Sequence, residues 1–125
     1  MRWGFGVLAV VAIGGAACAS SGPAAVVHAQ LREGVRAAQR GYWQEALFRF
    51  EKARAAEPSD PEVLNNVAVA LEALGRYDDA LATYKKALES GAKPTALRRN
   101  YARFAEFYSS YAKGAKPKEG SDAAH

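Results

Sequence analysis

The feature that most constrains this chain of 125 residues is a match of the sequence with itself at a shift of 34 residues. Small residues, aromatic residues and turn glycines all recur in register. The matched pairs are Val35 with Val69, Gly41 with Gly75, Trp43 with Tyr77, Ala46 with Ala80, Leu47 with Leu81, Phe50 with Tyr84, Lys52 with Lys86, and Ala53 with Ala87. A period of this length is typical of repeat proteins, in which each repeat is one supersecondary unit stacked on its neighbours.

A third, partial copy continues at the same shift, pairing Val63 with Leu97, Asn66 with Asn100 and Ala68 with Ala102. The second half of each full copy places an aromatic residue four positions after an alanine, as Ala46 with Phe50 and Ala80 with Tyr84. This pattern resembles the tetratricopeptide repeat (TPR) family. The resemblance covers residues 26–111 and implies an all-α fold, a short α-solenoid of two helix hairpins plus a C-terminal capping helix.

Capping and turn residues set the expected helix bounds. Ser59 or Asp60 can cap a helix that begins at Pro61, and Gly41 and Gly75 are suited to end the first helix of each hairpin. The expected helices are Ala24–Arg40, Trp43–Ala56, Pro61–Leu74, Tyr77–Ser90 and Thr95–Lys113. They predict repeats over about 27–60 and 61–94, a capping helix over 95–113 and a disordered polar tail over 114–125.

The N-terminal segment is typical of an exported protein. Arg2 precedes an uncharged stretch from Trp3 to Ala17, which is short for a membrane-spanning helix and suits a signal peptide over residues 1–17. The small residues before Cys18 resemble the lipobox of bacterial lipoproteins. This resemblance implies a lipidated Cys18, a flexible tether over residues 18–25 and a place in the cell envelope, at the outer rather than the inner membrane. Soluble export and an uncleaved signal anchor remain alternatives.

Composition argues against several other functions. One Cys and two His leave little material for a metal site, so no metal and no cofactor are expected. The sequence lacks a phosphate-binding glycine loop and the common hydrolase motifs, which favours a protein that is not an enzyme. The net charge of +4 is spread over all the helices, a distribution that argues against nucleic acid as a partner.

The last expected helix carries an apolar stripe at steps of three and four residues. The stripe consists of Leu97, Tyr101, Phe104, Tyr108 and Tyr111. Our main interpretation is a cap over the open end of the second repeat. The alternative is that part of the stripe forms a surface for a partner or for a second copy of the chain. Phe107 lies off the stripe.

In TPR proteins the first helix of each hairpin lines a concave groove that binds a peptide or a partner helix. The resemblance therefore implies a partner-binding groove with Leu31, Val35, Asn66, Val69, Arg99 and Arg103. Arginine in such a groove can pair with a carboxylate. The sequence thus favours a membrane-anchored adaptor or scaffold for an envelope complex. The alternative is a structural protein that forms a homo-oligomer through its solenoid ends.

Overall fold

The computed structural model describes residues 22–115, which form five α-helices. The helices are α1 (Pro23–Gln39), α2 (Trp43–Ala56), α3 (Pro61–Ala73), α4 (Tyr77–Leu88) and α5 (Thr95–Ala115). The all-α hairpin architecture expected from the repeat is confirmed. The predicted signal peptide, the predicted lipidation site Cys18, the first half of the tether and most of the tail lie outside the described residues. No helix in the described part of the chain is long and apolar enough to span a membrane.

Five helix ends differ from the expectation by one or two residues; two of them are the C-terminal ends of α1 and α3, which each come one residue earlier. Helix α1 begins at Pro23, because proline is preorganised for the first helical position, so residues 23–25 of the expected tether are helical. Helix α4 ends at Leu88, where the Ser90 hydroxyl lies 3.1 Å from the carbonyl oxygen of Ala87 and competes with the helical pattern. Helix α5 continues through Ala115, since its last residues include good helix formers.

The helices pack in two layers. Helices α1 and α2 form one hairpin, and α3 and α4 form the second. The first helices also contact one another, α1 with α3 and α3 with α5. Within the described residues, α2 and α4 make no such contact with each other. The chain therefore has a continuous inner layer of α1, α3 and α5, and a more open outer layer.

Small residues allow the close helix crossings. Ala46, Ala53, Ala80 and Ala87 are fully buried, as the repeat pattern predicts. The aromatic residues one turn after Ala46 and Ala80 fill the space beside them, with Phe50 and Tyr84 at 2% and 0% exposure. These residues join the aliphatic residues of α3 in one core that runs through both hairpins.

Both hairpins turn at a glycine in the left-handed region. Gly41 has φ of 77° and Gly75 has φ of 76°. In each turn the glycine N–H donates to a carbonyl three residues back, and the next N–H donates to a carbonyl five residues back, which is the Schellman motif. The residue at the same register in α5 is Ser109, and there the helix runs on. The missing glycine thus explains why the third copy is one long helix.

Replacing Gly75 by alanine is expected to destabilise the protein by about 1 kcal/mol, because an L side chain is strained at positive φ. The free energy of unfolding from urea titration measures the effect. Gly91→Ala is the control, since Gly91 also has open space around its Cβ position but no positive φ. An equal loss of stability in both variants would contradict this explanation.

Candidate functional site

A cleft of about 400 Å³ opens between α3 and α5, which are neighbours in the inner layer. We call it the α3–α5 cleft, and its lining residues are Trp43, Val69, Glu72, Ala73, Tyr77, Arg103 and Phe107. Val69 and Ala73 lie four residues apart on one face of α3 and give the cleft an apolar floor. The cleft is therefore a largely apolar depression with a polar pair along one side.

Aromatic side chains form the walls of the cleft. Trp43 and Tyr77 are each the first residue of the second helix in their hairpin, two positions after the turn glycine. The identical Schellman turns thus bring both rings to corresponding places. The ring of Tyr77 packs edge-on against Phe107 and Tyr111 of α5, each at a centroid distance of 4.9 Å. Phe107 still keeps 43% of its surface exposed to solvent.

The polar side of the cleft is an ion pair between α3 and α5. The Arg103 guanidinium donates two hydrogen bonds to the Glu72 carboxylate, at 2.6 and 3.1 Å. The hydroxyl of the buried Tyr84 donates a third, at 3.1 Å. The hydrogen bond to Glu72 raises the pKa of Arg103, while burial, followed by the Glu72 charge, raises the pKa of Tyr84. The Glu72 carboxylate therefore links α5 to the second hairpin through hydrogen bonds.

Replacing Glu72 by alanine is expected to lower the free energy of unfolding by about 1–3 kcal/mol, because the buried Tyr84 hydroxyl loses its hydrogen-bond acceptor. Arg103→Ala is the matched control and should lower it by less than about 1 kcal/mol, since this guanidinium is 60% exposed and its ion pair is screened by water. Urea unfolding followed by circular dichroism compares the two. A larger loss of stability in Arg103→Ala would show that the ion pair contributes more to the free energy of unfolding than the hydrogen bond of the buried Tyr84 hydroxyl.

One comparison with known proteins identifies the repeat. The family model described as tetratricopeptide repeat matches residues 31–96, more than half of the chain. The chain belongs to the tetratricopeptide repeat family. No curated protein matches it with significant similarity. The TPR fold is generally a non-catalytic fold that binds protein partners. The α3–α5 cleft lies on the inner layer of this fold, between the first helices of successive repeats.

The groove residues expected from the TPR resemblance fall into different environments. Val69 and Arg103 line the α3–α5 cleft. Val35 is 40% exposed on α1, away from the cleft lining, and Arg99 is exposed on α5, one turn before Arg103. Arg103 already pairs with Glu72. Its guanidinium can therefore meet a ligand carboxylate only in competition with Glu72.

Leu31 requires correction as a groove residue, whereas Asn66 does not. Leu31 is only 6% exposed and belongs to the core, because α1 turns this side towards the rest of the solenoid. The side-chain amide of Asn66 donates to the carbonyl of Glu62 in its own helix, at 3.0 Å. Its neighbour Asn65 makes the contact between repeats, accepting a hydrogen bond from Asn100 at 3.1 Å. Asn66 is half-buried and lies three residues before Val69 on the same face of α3, so its place in the groove stays a prediction.

The predicted groove did not include five residues of the cleft, namely Trp43, Glu72, Ala73, Tyr77 and Phe107. A signal for two of them was present, since Trp43 and Tyr77 match at the 34-residue shift and both follow the turn glycine. Nothing local in the sequence marks Glu72, because its partner Arg103 is 31 residues away. The sequence did mark Phe107, because this residue lies off the apolar stripe of α5.

Most residues of the α5 stripe pack against the rest of the TPR domain. Leu97 and Phe104 are fully buried, and Tyr101 packs against Tyr84 at 6.0 Å between ring centroids. The hydroxyl of Tyr108 donates to Asp78, which raises the pKa of Tyr108. These contacts show α5 acting as the cap of the second hairpin. Phe107 and Tyr111 remain 43% and 40% exposed.

Two further depressions are weaker candidates for a binding site. One of about 380 Å³ between α1 and α2 is bordered by the ion pairs Arg36–Glu33 and Arg49–Glu45. Another, of about 200 Å³, lies beside the exposed His28 near the start of α1. Among residues 22–115, no group of three or more His, Cys, Asp or Glu side chains could hold a metal ion. The α3–α5 cleft is therefore the strongest candidate site in the described part of the chain.

Proposed function

We propose that this TPR protein is an adaptor that binds a partner protein in the α3–α5 cleft while Cys18 anchors it to the membrane of a bacterial cell envelope. The observation that carries the binding site is the exposed aromatic surface of the cleft. Large exposed aromatic side chains beside an apolar depression are typical of interaction sites, where burying such a ring dominates the binding energy. Phe107 meets this description, at 43% exposure beside Val69 and Ala73.

The chemistry of the cleft supports binding without catalysis. Its charged residues, Glu72 and Arg103, are paired with each other. The titratable side chains of the lining include no nucleophile next to a general base, the arrangement that covalent catalysis requires. An adaptor needs only surface complementarity, which a cleft between two packed helices can provide.

The membrane anchor rests on the N-terminal sequence. Small residues lead up to Cys18 after a short apolar stretch, as in bacterial lipoproteins, and Ala19 follows. Acyl chains on Cys18 would contribute about 0.8 kcal/mol per buried CH₂, so several chains would hold the domain firmly at a membrane. The absence of aspartate at position 19 favours the outer membrane.

Affinity capture from native membranes tests the binding site. We expect the wild-type chain to retain a specific envelope protein, and Phe107→Ser to lose most of it. Phe48→Ser is the matched control, because Phe48 is also exposed, at 51%, but lies on α2 outside the cleft. Equal retention by all three chains would exclude the cleft as the binding site.

The anchor has a separate test. Mass spectrometry of the mature N-terminus should show a lipidated Cys18, and Cys18→Ala should release the protein into the soluble fraction. Unchanged membrane retention of Cys18→Ala would contradict lipid anchoring and leave the cleft proposal standing.

A further inference from the structure

The outer layer of the solenoid carries an exposed aromatic ring between two cations. Phe48 is 51% exposed on α2, and the Lys52 Nζ and Arg49 Cζ atoms lie 4.6 and 5.8 Å from its ring centroid. Lys52 is exposed four residues after Phe48, so both side chains lie on one face of the helix. The buried residues of α2 occupy the opposite face, namely Ala46, Leu47, Phe50 and Ala53. The Phe48 ring therefore projects from the outer surface.

The outer helices also carry positive charge without carboxylate partners. Lys86 follows Lys52 at a shift of 34 residues, so it stands at the same position of α4. Within residues 22–115, three exposed lysines of the outer helices form no ion pair, namely Lys52, Lys85 and Lys86. The carboxylates of α2 and α4 already have an ion-pair or hydrogen-bond partner, namely Glu45, Glu51, Asp78 and Asp79. The surface around Phe48 thus attracts negative charge.

The shape of this surface suits a lipid bilayer. Phe48 lines neither the α3–α5 cleft nor the two depressions beside α1, so no cavity next to the ring receives side chains of a protein partner. A bilayer yields around a projecting ring and needs no preformed depression. At its surface an aromatic ring sits at the acyl boundary, while lysine side chains reach out towards the headgroups. Phe48 and Lys52 have this arrangement.

We infer, resting on the proposed anchor at Cys18, that the outer face lies on an anionic lipid surface, with the Phe48 ring at the acyl boundary and Lys52 and Lys86 beside lipid phosphates. The acyl chains hold the domain at the membrane, and the outer face orients it. The α3–α5 cleft lies in the inner layer, so this orientation turns the cleft away from the membrane and towards partners.

The length of chain between Cys18 and α1 permits this orientation. Five residue steps separate Cys18 from Pro23, where α1 begins. A chain covers at most about 3.6 Å per residue, so this connection reaches up to about 18 Å. Packed helix axes lie about 8–10 Å apart and a helix has a radius of about 5 Å, which places the axis of α1 about 15 Å above a membrane that touches α2. The anchor and the outer face can therefore meet the same membrane.

Fluorescence quenching in vesicles tests this orientation. The full chain is produced in bacteria and reconstituted into vesicles of phosphatidylglycerol and phosphatidylcholine with brominated acyl chains, which quench a tryptophan on contact. Phe48→Trp and its matched control Phe107→Trp each add one tryptophan at an exposed position, and the emission of the wild-type chain is subtracted. We expect a loss of the added emission at position 48 and none at position 107.

A charge variant then tests the contact with lipid phosphates. Lys52→Ala in the Phe48→Trp chain should lower the ratio of quenched to unquenched protein about fivefold, the factor that corresponds to one lysine at an anionic surface. Lys113→Ala, the same substitution on the inner helix α5, should change the ratio by less than about twofold, since an exposed charge off the contact adds little. Circular dichroism confirms that each variant is folded.

The possible failures are distinguishable. No quenching at position 48 on vesicles that retain the chain, or equal quenching at positions 48 and 107, would overturn the orientation and leave the anchor and the cleft intact. Equal quenching at position 48 in vesicles of phosphatidylcholine alone, or an unchanged ratio in Lys52→Ala, would overturn the role of anionic lipid. A chain that does not float with the vesicles would overturn the anchor, and the inference with it.

Discussion

Phe104→Ala is expected to lower the free energy of unfolding by about 3–5 kcal/mol, the range found when a buried phenylalanine is truncated to leave a cavity. Phe104 is fully buried and is the centre of the aromatic cluster between α4 and α5. Its ring lies 5.3 Å from that of Tyr84 and 5.7 Å from that of Tyr108. A domain of this size has a total stability on the order of 5–15 kcal/mol, so the variant should lose a large fraction of it.

The effect should extend to the cleft, because Phe104 holds the helix that carries Arg103 and Phe107. Chemical denaturation measures the stability, and amide hydrogen exchange should show α5 losing protection before α3. Phe48→Ala is the matched control, since the same truncation at a residue that is 51% exposed should change stability by less than about 1 kcal/mol. A similar loss in both variants would mean that α5 is not docked through Phe104.

Gly34→Ala is expected to destabilise the protein by about 1–3 kcal/mol, against the usual preference for alanine in a helix. Gly34 lies inside α1, and a Cβ atom there would meet the Phe50 ring at 2.3 and 2.6 Å. Phe50 is 2% exposed and has little room to move. The gain of about 1 kcal/mol in helix propensity is therefore outweighed by the displacement of a core ring.

Gly114→Ala gives the opposite expectation for the same substitution. Gly114 is also helical, and open space surrounds its Cβ position, so alanine should be neutral or stabilising by up to about 1 kcal/mol. Thermal unfolding of the two variants compares them directly. Stabilisation by Gly34→Ala would show that Phe50 can repack and that the hairpin crossing tolerates a larger residue.

The repeat pattern predicted the scaffold because each of its signals has a local physical cause. A glycine is needed where the backbone enters the left-handed region, and Gly41 and Gly75 do so. Small residues are needed where helices cross, and Ala46 and Ala80 are fully buried there. Asp60 caps α3 by accepting hydrogen bonds from the N–H groups of Glu62 and Val63. These requirements are readable in one sequence because they act within a few residues.

The candidate site was harder to predict because it depends on contacts between repeats. Glu72 joins Tyr84 and Arg103, which lie 12 and 31 residues away and leave no periodic trace. Which of Asn65 and Asn66 contacts the next repeat depends on the rotational phase of α3, because each residue along a helix turns the side chain by about 100°. The sequence does not give this phase. The predicted Leu31 illustrates the same limit, since an apolar residue on an inner helix can serve either the core or the groove.

The proposal that the α3–α5 cleft binds a partner has its most direct test in site-specific photo-crosslinking in living cells. A benzophenone amino acid replaces Phe107 in one variant and Phe48 in another, both exposed positions on different helices. Binding in the α3–α5 cleft predicts a discrete adduct with one envelope protein from position 107, and none from position 48. No adduct at position 107, or the same adduct at both positions, would contradict it.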